Sequence, residues 1–116
     1  MTMASNEYTL NKPGHLTCPE CGGALTKTED GPIPRYVCHI GHALTGEAML
    51  VAQAERIEFL LEGALAMLNE RRELCRQLLD GDLHDHKRIE VLLGDATRHA
   101  ELLRDFLNDS KLLATL

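Results

Sequence analysis

From Gly46 onward, apolar residues recur at the spacing of a helix, and no proline interrupts them. Placing residues 100° apart puts Leu50, Ala54, Ile57, Leu61, Ala64, Leu65, Leu68, Cys75 and Leu79 on one side. Leu60, Met67, Leu74 and Leu78 widen that side, and Glu55, Glu58, Glu62, Glu70 and Glu73 cluster opposite. Thr45 suits an N-cap, Glu47 suits the first turn, and Gly81 suits a left-handed C-cap. The pattern predicts one helix over 46–80, about 50 Å long. Ile89, Leu92, Leu93, Ala96, Ala100, Leu103, Phe106 and Leu107 predict a second helix, capped by Asp82 or Asp85. The short Asp80-Gly81-Asp82-Leu83 connection makes the two antiparallel neighbours.

Before Gly46 the pattern is different. Residues 18–45 hold three of the four cysteines, three of the four prolines and short apolar pieces such as Arg35-Tyr36-Val37, which reads as turns joined by short strands. Residues 1–17 are polar and unpatterned, and the first ten or so are expected to be poorly ordered. The expected fold class is mainly α: a small zinc-ribbon-like head of turns and short β over 16–45, after a flexible segment 1–15, and a long antiparallel two-helix hairpin over 46–116.

The apolar stripe on the first helix spans about half its circumference, more than one partner helix covers. A lone hairpin leaves Leu60, Met67, Leu74 or Leu78 exposed, and Phe59 lies on the far side. The expectation is a homodimer through the hairpin, in a four-helix arrangement, or a different partner in the same role. The alternative is that the head folds back over the surplus.

Composition narrows the function. Hydrophobic residues make up 44% of the 116 residues but aromatics only 3%, a balance that favours helices packed through Leu and Ala. No apolar run is long enough to span a membrane, and the start shows no secretory pattern, so the expected compartment is the cytoplasm. Thiols stay reduced there, so the four cysteines point to metal or inert thiol rather than disulfides. A net charge of −6 argues against nucleic acid and anionic lipid as partners.

The chemistry lies in Cys18-Pro19-Glu20-Cys21-Gly22-Gly23 and in Cys38-His39-Ile40-Gly41-His42, with sixteen residues between Cys21 and Cys38. Cys-x-x-Cys sets two thiolates in one tight turn with a bite that suits tetrahedral zinc. Gly22 and Gly23 are expected at positive φ, with amide hydrogens aimed at the sulfurs. Cys38 and His42 supply the second pair, and Gly41 allows a similar bend. Cys18, Cys21, Cys38 and His42 are thus the expected ligands of one structural Zn²⁺ per chain, whose binding supplies folding free energy that so small a head lacks. His39 competes with His42 but projects away from the ion if its segment is extended, leaving it beside the site. The thioredoxin-type reading is rejected, because that motif opens a helix after a strand.

Elsewhere, Cys75 reads as a buried small hydrophobe, His84, Asp85, His86 and Glu90 as solvated polarity, and His99 with Asp95 as a satisfied interface histidine. No grouping supports catalysis, so no enzyme is expected.

Leu16-Thr17-Cys18-Pro19-Glu20-Cys21-Gly22-Gly23, Asp30-Gly31 and Arg35-Tyr36-Val37-Cys38-His39-Ile40-Gly41-His42-Ala43 together resemble the C-terminal extension of some CheB-type chemotaxis protein-glutamate methylesterases. Thr45-Gly46-Glu47-Ala48-Met49-Leu50 matches the start of that extension's first helix. The resemblance covers roughly residues 13–107, with Leu44 in place of the usual aromatic. It implies Cys18, Cys21, Cys38 and His42 as the constant positions, a zinc-bearing head and two long helices, and an accessory role in chemosensory signalling with a signalling protein as partner. The methylesterase domain and its serine have no counterpart here. A zinc-ribbon nucleic-acid-binding or transcription-related factor is the alternative. Against it, residues 1–45 carry Lys12, Lys27 and Arg35 against Glu7, Glu20, Glu29 and Asp30.

Overall fold

The computed structural model describes residues 8–109. Three strands, β1 (Leu25–Thr28), β2 (Arg35–Cys38) and β3 (Ala43–Leu44), precede two helices, α1 (Gly46–Leu79) and α2 (His86–Asp109). The chain divides into two compact units at Met49–Leu50, one turn into α1. The expected architecture of a small β head followed by a helical hairpin is observed. Of the terminal segments expected above, residues 1–7 and 110–116 lie outside the described residues; residues 8–15 are exposed and contain neither strand nor helix.

In the head, the strands form an antiparallel sheet in the order β1-β2-β3. Leu25 pairs with Cys38 and Tyr36 with Leu44, so the two-residue alternation of a strand places these four on one face. Met49, from the first turn of α1, joins Cys18, Leu25 and Cys38 beneath that face, with Tyr36 and Leu44 packed around them. Two of the four buried members are cysteines, so the core of the head and its sulfur cluster are the same place. The helix that enters this core is held at its start by Thr45, whose Oγ1 accepts from the Ala48 N–H at 3.2 Å.

In the hairpin, the less exposed positions of α1 from Leu61 onward are Leu61, Leu65, Leu68, Arg72, Cys75 and Leu79, with Leu78 beside the last, and those of α2 include Ile89, Leu93, Ala96, Ala100, Leu103 and Leu107. Leu78 apart, both follow alternating steps of four and three, the repeat of a coiled-coil seam. Cys75, Ala96 and Ala100 are the fully buried members among these, which fits Cys75 as a small packed hydrophobe. Nε of Arg72 donates to Oγ1 of Thr97 at 3.0 Å, tying the helices side by side.

Several expectations about detail are corrected. Gly81 is not in a left-handed conformation; α1 ends instead in tight turns, with the Asp80 N–H donating to the Gln77 carbonyl and the Gly81 N–H to that of Leu78. Of the two cap candidates Asp85 is the one used, its Oδ1 accepting from the Arg88 N–H at 3.3 Å, so the connection is longer than expected and runs to residue 85. His86, expected as free surface polarity, hydrogen-bonds through Nε2 to the Gly81 carbonyl. His99 is exposed rather than satisfied at the interface, because Asp95 pairs with Arg98 at 3.0 Å. Phe59 is 62% exposed, with the Arg56 guanidinium 5.2 Å above its ring, a cation–π contact one helical turn apart.

Candidate metal centre

Two short turns build the site. In the first, the Cys18 N–H donates to the Gly23 carbonyl at 2.7 Å and the Gly22 N–H to the Cys18 carbonyl at 2.9 Å. In the second, the Cys38 N–H donates to the His42 carbonyl at 3.0 Å and the Gly41 N–H to the Cys38 carbonyl at 3.1 Å. Each turn closes through one glycine at positive φ, Gly22 at 78° and Gly41 at 101°. A residue with a Cβ is strained there, which is why the sequence has glycine at both. Gly23 serves a different end from the one expected of it. Its φ is not positive, and a Cβ built on it would stand 3.0 Å from Cε1 and Nδ1 of His39. Glycine at this position admits the His39 ring.

The donor atoms of Cys18, Cys21, Cys38 and His42 lie within 4.8 Å of one another. Nδ1 of His42 is 3.4 Å from Sγ of Cys38 and 3.6 Å from Sγ of Cys18. A tetrahedral ion with bonds of about 2.3 Å to sulfur and 2.0–2.1 Å to nitrogen separates those atoms by about 3.5 Å. The spacing therefore fits a metal, and all four sequence-predicted residues meet. His39 is not in the group. No other group of three or more such side chains gathers among the described residues, so His84, Asp85, His86 and Glu90 do not form a second one.

The electrostatics suit a bound cation. Burial acts to raise the Cys38 thiol, but N–H groups of Ile40 and His42 and the side chains of Cys21 and Cys18 outweigh it and hold the group at about 6. Cys18 is likewise lowered: burial opposes, while the N–H groups of Cys21 and Glu20 and the side chains of Cys21 and His42 prevail. The Gly23 N–H works to lower Cys21, yet burial and the neighbouring Cys18 and Cys38 sulfurs raise it overall. His42 is raised, first by its contact with Cys18, against burial, with Cys38 and Glu20 adding to the rise. Two sulfurs thus favour the thiolate and hinder the third from joining them. A divalent cation removes that conflict.

One contributor was counted in the sequence only as a charge. Oε2 of Glu20 lies 3.3 Å from Nε2 of His42, the ring nitrogen that faces away from the sulfurs. The signal for it was its place between the two cysteines of the first turn.

No protein-family model, curated protein or solved structure matches this chain.

Proposed function

We propose that the chain is a non-catalytic zinc-binding module in which Cys18, Cys21, Cys38 and His42 hold one structural Zn²⁺ and the helices serve protein–protein interaction. The observation that carries the metal is the 3.4 and 3.6 Å spacing of Nδ1 of His42 from two sulfurs. Three thiolates and an imidazole favour zinc over the oxygen-seeking ions, and four protein donors leave no position for a reactive water. When bound, the ion supplies cross-linking of the two turns. The chain's own residues do the rest: amides neutralise sulfur charge, Glu20 orients His42, and Met49 closes the core beneath. Elemental analysis of freshly purified protein tests this, with one zinc per chain expected. Folded protein with no zinc, or a head unchanged after complete chelation, overturns it.

The resemblance of residues 16–50 to the methylesterase extension supports a partner in bacterial chemosensory signalling, and a cytoplasmic location with it. Titration of the zinc-loaded protein with a purified chemotaxis methylesterase and with a chemoreceptor signalling domain is expected to give a complex with one of them. Absence of binding to both removes the chemosensory part and leaves the metal part standing.

A further inference from the structure

The seam of the hairpin uses one line of residues on each helix, and a second line runs one position before it. On α1 this line carries Ile57, Leu60, Met67 and Leu74; on α2 it carries Leu102 and Phe106. All six are between 41% and 63% exposed. A step of one residue is 100° around a helix, and the same step on two antiparallel helices falls on the same side of the pair. The six side chains therefore form one face. The glutamates of α1 (Glu55, Glu58, Glu62, Glu70 and Glu73) turn the other way. One charge, Arg71, stands in the α1 line. The α2 line carries Arg88, Asp95 and His99 as well. The Asp95 carboxylate, half exposed and paired on one side with Arg98, has accepting capacity left, and the Arg72–Thr97 hydrogen bond sets Arg71 within about a turn of its level.

We infer that this face binds a second copy of the chain, face to face, as a four-helix arrangement. Two features favour a copy over another occupant. The first is charge: laying α1 of one copy over α2 of the other, with both helix connections at the same end, brings Arg71 of each to Asp95 of the other. The face is then complementary to itself, as a two-fold interface requires. The second is area. A half-exposed Phe106 offers about 100 Å² and the five aliphatic side chains somewhat less each, so complete coverage of six from each copy removes on the order of 1,000 Å², the lower bound of a specific interface. This inference rests on the apolar pattern and not on the zinc reading.

Sedimentation equilibrium of the full chain, with its metal content measured alongside, tests it. The expected mass is twice the 12.9 kDa of one chain. Leu60→Asp and Met67→Asp are expected to return it to 12.9 kDa with helical circular dichroism unchanged, since both side chains are more than half exposed. Arg71→Asp is expected to weaken association about tenfold or more, and Arg71→Asp combined with Asp95→Arg to restore it. Wild-type protein that stays at one chain mass up to its solubility limit overturns the inference; the face is then covered by another part of the chain or by a different protein. A dimer indifferent to both Leu60→Asp and Met67→Asp also overturns it.

Discussion

The Glu20 carboxylate and the His42 imidazole meet at 3.3 Å, on the side of the ring away from the three sulfurs. A carboxylate that accepts from Nε2–H fixes the tautomer that leaves Nδ1 free to bind, and makes the ring more basic toward a metal. Glu20 thus joins the first cysteine turn to the last ligand of the second.

Removing that carboxylate is expected to weaken zinc binding. Partners of this kind are worth about 10–100-fold in affinity, and both side chains here are partly solvated, at 35% and 56% exposure, so Glu20→Ala belongs at the lower end. Glu20→Gln, which keeps an accepting oxygen, is expected to fall between. Competition against a chromophoric chelator reads both, and an affinity for Glu20→Ala equal to wild type would falsify the role.

His39 and His42 are separated by the same chelator assay. His42→Ala deletes a donor atom from the cluster, and we expect zinc to be bound far more weakly and the head to lose its sheet. His39→Ala is expected to bind zinc as wild type does, because its ring sits against Gly23 and is not among the four gathered donors. Equal losses in the two variants would show that the ring positions exchange.

Three glycines give a graded series. Gly22 and Gly41 have open space around them, so alanine there costs only backbone strain, about 1–2 kcal/mol each. Gly23→Ala instead presses on an exposed histidine ring that can turn aside, and we expect a smaller loss, on the order of 0.5 kcal/mol, relieved in a His39→Ala background. Thermal melts of the metal-saturated proteins order them. A Gly23 variant as damaged as Gly22→Ala would mean that the ring is held in place.

The hairpin has its own test. Ala96 is 2% exposed at the seam, so Ala96→Leu forces the helices apart or into strained rotamers, at about 1–3 kcal/mol. Urea unfolding followed by helical ellipticity reads the cost. The opposite change, Leu102→Ala at a position 61% exposed, is expected to leave that midpoint nearly unmoved in a monomeric Met67→Asp background.

Periodicity and punctuation alone determined much of this protein. The change from turn-rich sequence to an uninterrupted helical pattern near Gly46 marks where β gives way to α, and Thr45 marks the start of α1. The spacing of Cys18, Cys21, Cys38 and His42 was enough to name the four residues whose donor atoms gather, because ligand bite is a local property of a tight turn. What required tertiary structure was every decision made between segments distant in sequence. Gly23 reads as a turn residue until His39 arrives from the other turn to lie against it. Glu20 reads as surface charge until His42 comes within reach, and nothing in the helical pattern singles out Met49, which packs beneath the sheet. The width of the apolar stripe was visible in the sequence, and so was its surplus line, of which Leu60, Met67 and Leu74 are exposed. What the structure added is which small residues lie buried along the line that is used, Cys75, Ala96 and Ala100, because burial there depends on the other helix and not on either pattern alone.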